Sequence, residues 1–73
     1  MSKAEAFDLS RSDWERLIDE WIFSERDRAI LKRRLLDGVP FERLAEEFDM
    51  STRQMVNIVM AGQDRLFSKI KLH

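Results

Sequence analysis

The apolar residues of this 73-residue chain recur at intervals of three and four, and this spacing predicts helices. Ser12 and Glu15 have the spacing of a capping box, so the first helix is predicted to begin at about Asp13. Residues 1–11 show no such period and are predicted to be a flexible N-terminal tail, which leaves residues 12–73 as one domain. The apolar stripe of the first helix consists of Trp14, Leu17, Ile18, Trp21 and Ile22.

A second helix is predicted between a serine and a glycine. Ser24 and Asp27 repeat the cap spacing, so this helix should run from Glu25 to about Asp37. Gly38 follows it and can adopt the left-handed conformation that ends a helix at little cost. The residues that this helix is expected to bury are Ile30, Leu31, Leu35 and Leu36.

Two more helices are predicted on either side of a tight break at residues 49–51. Pro40 suits the first turn of the shorter helix, where its missing N–H is not needed, and Ser51 can cap the longer one. The shorter helix has the apolar face Leu44, Ala45 and Phe48, and the longer has Met55, Ile58, Val59, Gly62, Leu66, Phe67 and Ile70. The pattern therefore predicts an all-α fold, a small four-helix domain with a long last helix.

The break and its flanks favour a helix-turn-helix. Such a pair crosses steeply and needs a small residue where the backbones approach, a position that suits Ala45, while Met50 can fill the space between the helices. In DNA-binding proteins the second helix of the pair enters the major groove. DNA reading is therefore the leading interpretation, although a plain helical hairpin would give the same pattern.

The composition argues against catalysis and against a membrane. The chain has no cysteine and one histidine, which excludes disulfides, thiolate metal sites and histidine clusters. Its carboxylates are scattered over predicted helix faces, without a nucleophile–base pair or a phosphate-binding glycine loop. The N-terminus does not resemble a signal peptide, and no stretch approaches the roughly 20 apolar residues of a membrane span. We expect a cytoplasmic protein with no enzyme activity, cofactor, small-molecule substrate or membrane partner.

Positive and negative charges are distributed slightly unevenly along the chain. The net charge is −1, whereas an autonomous DNA-binding domain usually carries a basic surplus. From residue 51 onward Asp64 is the one acidic residue among four basic ones, so this part carries +3 and the first 50 residues carry −4. The charge polarity along the chain is therefore real but mild, and the basic surplus lies in its last part.

The segment from Ser24 to Ile70 carries a further set of features. It reads SERDRAILKRRLLDGVPFERLAEEFDMSTRQMVNIVMAGQDRLFSKI. The features are Glu25-Arg26-Asp27-Arg28, Leu36-Asp37-Gly38, Phe41-Glu42-x-Leu44-Ala45-Glu46, Met50-Ser51 and Arg65-Leu66. In these particulars about two-thirds of the chain resembles region 4 of the sigma-70 family, the part that reads the −35 promoter element. The resemblance implies a bacterial or phage transcription regulator, with double-stranded DNA and RNA polymerase as candidate partners.

The resemblance also implies which residues of the last helix would face DNA. Arg53 could bond both acceptors of a guanine, and Asn57 could pair with an adenine. Ser51 and Thr52 could bond to phosphate, while Val56 and Met60 could contact a thymine methyl group. Residues further along would lie near the phosphate backbone. The predicted DNA-contacting residues are Ser51, Thr52, Arg53, Val56, Asn57, Met60, Arg65 and Lys69.

This chain differs from the family pattern in ways that weaken DNA binding. The middle of the last helix lacks the usual Lys and Arg residues, Asp49 replaces a glycine, and Pro40 replaces a Ser or Thr cap. The region that grips polymerase and melts the −10 element is absent, so we do not expect a complete sigma factor. A monomer should bind weakly, and a dimer on two half-sites or a partner could supply the missing affinity.

A second interpretation is a protein-interaction module of the same fold that has lost strong DNA affinity. Val56 and Met60 suit a protein contact better than a DNA contact, since methionine is common at adaptable interfaces. The tryptophan-rich first helix offers another candidate interface, formed by Trp14, Trp21 and Phe23, although core positions explain these residues as well. Its partner would be RNA polymerase, a sigma factor or a second copy of the chain.

Overall fold

The fold is all-α, as the sequence predicts. A computed structural model describes residues 9–70, in which no strand occurs and no helix is both long enough and apolar enough to cross a membrane. The four helices are α1 Arg11–Trp21, α2 Glu25–Leu35, α3 Phe41–Glu47 and α4 Thr52–Lys69.

Helices α2 and α4 begin at the serine caps that the sequence predicts. The Ser24 hydroxyl accepts a hydrogen bond from the backbone N–H of Asp27 at 3.3 Å. The Ser51 hydroxyl accepts one from the N–H of Gln54 at 3.1 Å, and the Gln54 side chain accepts one from the N–H of Ser51 at 3.0 Å. This reciprocal pair is a capping box, and it fixes the start of the longest helix.

The predicted start of α1 at Ser12 is wrong by two residues. The cap is Ser10, whose hydroxyl accepts from the N–H of Asp13 at 3.1 Å while the Asp13 carboxylate accepts from the N–H of Ser10 at 3.2 Å. The earlier start brings Arg11 into the helix, where its guanidinium pairs with Asp37 at 2.8 Å. Residues 1–8 of the predicted tail lie outside the described part of the chain.

The connections between the later helices use two residues with left-handed backbones. Helix α2 ends at Leu35, two residues before the predicted end, and Gly38 then adopts a φ of 69°. Pro40 is the N-cap of α3 and not part of its first turn, and no side chain caps this helix. Between α3 and α4, Asp49 has a φ of 54°, and the next amide closes the turn by donating to the Ala45 carbonyl oxygen at 2.9 Å.

Helix α4 packs against each of the other three helices and forms the spine of the core. Its buried residues are Met55, Val59, Gly62 and Leu66. A Cβ atom at Gly62 would lie 2.6 Å from Cδ1 of Leu31, so the glycine lets α4 lie close against α2. At the α1 side, the rings of Trp14 and Phe67 meet edge to face with centroids 6.0 Å apart. This packing leaves one long face of α4 toward solvent.

Candidate nucleic-acid interface

The outward face of α4 is formed by residues three and four positions apart. Arg53, Asn57, Met60 and Asp64 share this spacing and are all exposed, whereas the buried residues of α4 lie on the opposite face. The Met60 side chain is 51% exposed. The face therefore offers one cation, one amide, one large apolar group and one anion.

Arg53 differs from most basic residues of the molecule because nothing holds its guanidinium. Within residues 9–70, Arg16 and Arg53 are the basic residues that form no ion pair, hydrogen bond or ring contact. Arg53 lies in the first turn of α4, one turn before Asn57. Its five N–H donors are free for an external acceptor such as a guanine edge or a phosphate.

The start of α4 adds weaker polar groups to this face. Thr52 is exposed, and Ser51 is exposed but uses its hydroxyl oxygen to cap the helix. The N–H groups of a first helical turn favour an anion. Against this, the exposed carboxylates of Glu46 and Asp49 lie just before the helix and would repel a nearby phosphate.

Val56 lies at the border between the outward face and the core. It is half-buried, so only part of its side chain could contact a thymine methyl group or a partner protein. Met60, one turn further along, presents the larger apolar surface. The apolar contribution of this face therefore comes mainly from one methionine.

The structure directs Arg65 and Lys69 toward α1 and away from the outward face. Arg65 Nη1 donates to the backbone carbonyl oxygen of Trp21 at 3.3 Å, and its guanidinium lies 5.6 Å from the centroid of the Phe23 ring. The ammonium of Lys69 lies 4.5 Å from the centroid of the Trp21 ring. These contacts occupy both side chains within the fold and separate them from Arg53 and Asn57.

The three aromatic residues of the candidate partner interface have different environments. Trp14 is 1% exposed and belongs to the core, so its side chain is not available to a partner. Trp21 is half-buried under Lys69, whereas Phe23 is 75% exposed in the connection between α1 and α2. Of these three residues, Phe23 presents the most surface to solvent, with the Arg65 guanidinium beside its ring.

Phe23 borders a groove that the sequence pattern does not predict. The groove has a volume of about 460 Å³ and lies between the α1–α2 connection and one flank of α4. Its lining comes from elements far apart in the chain: Trp21, Ile22, Phe23, Ser24, Asp27, Leu31, Asn57, Ile58, Ala61, Gly62 and Arg65. Asn57 thus belongs both to the outward face of α4 and to the groove wall.

In the part of the chain that the structure describes, no three His, Cys, Asp or Glu side chains come together as a group that could hold a metal ion. No known protein family, curated protein or solved structure matches the chain.

Proposed function

We propose that this protein is a DNA-binding transcription regulator that inserts the first half of α4 into the major groove. The observation that carries the proposal is the free, exposed guanidinium of Arg53 one turn before exposed Asn57. Arginine bonds both major-groove acceptors of guanine, and asparagine pairs bidentately with adenine. The two residues therefore form a minimal pair of base readers on one helix face.

The connection between α3 and α4 supports this proposal. Asp49 and the hydrogen bond from Met50 to Ala45 turn the chain tightly, and buried Ala45 allows close packing of the two helices. The capping box at Ser51 fixes the end of α4 that would enter the groove. The resemblance to region 4 of sigma-70 factors points to promoter DNA as the target.

The charges predict a weak complex at physiological salt. Asp64 shares the outward face with Arg53, while Arg65 and Lys69 contact α1. Each phosphate contact contributes about 0.9 to the slope of log K against log salt, so few contacts give a shallow slope and little non-specific affinity. Base contacts would have to supply a larger share of the binding energy than is usual.

The test begins with selection of preferred duplexes from a random library at about 50 mM salt, followed by anisotropy titrations with the best duplex. Arg53→Ala and Asn57→Ala should each weaken binding by about 1–3 kcal/mol, or roughly 5- to 150-fold in Kd, and relax the preference at one base pair. Arg16→Ala removes the other unpartnered guanidinium, from α1, and should leave the Kd and the preference unchanged.

Failure of the selection at low salt, or an unchanged Kd in the Arg53→Ala, Asn57→Ala double variant, would overturn the proposal.

The second candidate function, a protein-interaction module, is favoured by the 51% exposure of Met60 in the middle of the same face. A buried charge at that position would be costly in a protein complex. Met60→Glu should then abolish binding to RNA polymerase or a sigma factor, while Arg53→Ala leaves it intact.

A further inference from the structure

Two residues of the outward face of α4 are poorly suited to the proposed base reading. Asp64 would repel the phosphate backbone, and Met60 offers DNA only a contact with a thymine methyl group. Both residues are exposed, and the Met60 side chain lies between Arg53 and Asp64 with 51% of its surface open to solvent. A second role of the same face would account for both.

The two charges of this face have no partner within the molecule. In residues 9–70 Arg53 forms no ion pair, hydrogen bond or ring contact, and Asp64 forms no ion pair or side-chain hydrogen bond. Three helical turns separate them, or about 16 Å along α4, and both lie on the same side of the helix. The face therefore carries a free cation toward its start and a free anion toward its end.

The spacing of the face is the same in both directions along α4. Its four exposed residues, Arg53, Asn57, Met60 and Asp64, are separated by four, three and four positions. Alternating intervals of three and four are those with which two helices pack along one seam. Because the order of the intervals is symmetric, a second α4 laid antiparallel on the first meets the same four residues in reverse. Arg53 then lies beside Asp64 of the second copy, and Asn57 lies beside its Met60.

We propose that two copies of this chain form a weak symmetric dimer, in which the outward faces of the two α4 helices pack antiparallel. The twofold axis makes the interface isologous, so the ion pair between Arg53 and Asp64 forms twice and the two Met60 side chains lie near the axis. A DNA duplex or an acidic peptide would leave Asp64 without a counter-charge, whereas a second copy supplies one.

The size of the seam determines the strength of this dimer. Standard interfaces involve about 20–30 residues on each side, so a seam built on four residues of one helix gives a Kd in the high micromolar range. At the low micromolar concentrations of an unfolding experiment the chain is then a monomer. All four residues are already exposed in the single chain, so the dimer forms without any rearrangement of the core.

Self-association also regulates the proposed function, and this consequence alone rests on DNA binding. Arg53 and Asn57 cannot face base pairs and a second copy at the same time. The dimer and the DNA complex therefore compete for one surface, and the concentration of free protein sets how much of that surface is open to DNA.

Analytical ultracentrifugation of the full chain without DNA, up to millimolar protein, measures the dimer Kd. Arg53→Asp and Asp64→Arg each place like charges together in both ion pairs and should raise the Kd at least about tenfold, the factor that corresponds to 1.4 kcal/mol. The double variant exchanges the two charges and should dimerise like the wild type. An equimolar mixture of the two single variants should also dimerise, because one copy then carries two anions and the other two cations.

Arg16→Asp and Glu20→Arg are the matched controls, since they make the same changes of net charge on α1. Both residues are exposed and form no ion pair within residues 9–70, so the Kd should not change. A wild-type chain that stays monomeric at every concentration would overturn the proposal. So would a dimer that survives both single reversals, or a double variant that does not dimerise. Because no DNA is present, these outcomes decide the dimer alone, and the anisotropy titrations decide the base reading.

Discussion

At the scale of single residues, the backbone of Asp49 sets the turn between α3 and α4. Its φ of 54° lies in the left-handed region, which costs most L-residues about 1–2 kcal/mol and costs aspartate less. The Asp49 carboxylate takes part in no ion pair or side-chain hydrogen bond with residues 9–70. Substitutions there therefore report on the backbone conformation and not on a lost contact.

We expect Asp49→Val to lower the free energy of unfolding by about 1–2 kcal/mol and Asp49→Gly to raise it, because glycine reaches positive φ without steric cost. Asp64 offers a matched control, since it is an exposed aspartate inside α4. Asp64→Gly should lower the free energy of unfolding by only about 0.3 kcal/mol, because aspartate is already a poor helix former and glycine is slightly worse. Urea unfolding followed by circular dichroism measures all three variants. Loss of stability in Asp49→Gly would contradict the strain assigned to this turn.

The sequence predicts the environment of some site residues and misses others for a physical reason. Arg53 and Asn57 are exposed because helical periodicity places them opposite the core residues of α4, and periodicity can be read from the sequence. The position of Arg65 depends on Trp21, which lies 44 residues earlier in the chain. Long basic side chains reach across a fold, so local spacing does not predict their partners. The groove beside Phe23 was missed for the same reason, since its walls meet only after folding.

At the scale of helices, the start of α1 shows where local signals are ambiguous. Ser10 with Asp13 and Ser12 with Glu15 both have capping-box spacing, and the two signals overlap. The structure uses the first pair, which adds Arg11 to α1 and allows its ion pair with Asp37. The sequence predicts the starts of α2 and α4 correctly, because one serine alone is available as the cap of each helix. The local sequence therefore leaves the two caps equivalent, and the structure uses Ser10.

The two serines of α1 make this choice testable. Ser10→Ala should lower the free energy of unfolding by about 1 kcal/mol, because it removes the acceptor for the N–H of Asp13. Ser12→Ala should change it by less than about 0.5 kcal/mol, since Ser12 is exposed and its side chain makes no hydrogen bond within residues 9–70. Thermal and urea unfolding compare the two variants directly. A larger loss for Ser12→Ala would instead support a start at Asp13.

At the scale of the whole molecule, exposed ion pairs link three of the four helices. Arg11 of α1 pairs with Asp37 in the connection after α2, at 2.8 Å. Arg33 of α2 pairs with Asp37 at 3.5 Å and also forms a two-pronged pair with Glu47 of α3. These contacts occupy guanidinium groups that would otherwise add to the positive potential around the molecule. The network therefore leaves few guanidinium groups without an acidic partner within residues 9–70.

The same network predicts how stability depends on pH. Hydrogen bonds from Arg11 and Arg33 lower the pKa values of the Asp37 and Glu47 carboxylates, respectively, below their usual range. A lowered folded-state pKa means that the stabilisation is complete above the unfolded value of about 4 and is lost as pH falls through the folded value. The melting temperature should therefore hold from about pH 7 to pH 5 and fall below about pH 4.

Asp37→Asn separates this network from general acid unfolding. The variant should melt below the wild type at neutral pH. The difference should shrink as the pH falls below the unfolded value of about 4 and the wild-type carboxylate, whose pKa is lowered by the hydrogen bond from Arg11, takes up a proton. Asp64→Asn is the control, because Asp64 forms no ion pair in the described part of the chain, and its melting curve should follow the wild type at every pH. Added salt should also narrow the difference for Asp37→Asn, since salt screens exposed pairs. A difference that does not shrink as the pH is lowered through the acid range would mean that Asp37 acts through packing or turn geometry and not through its charge.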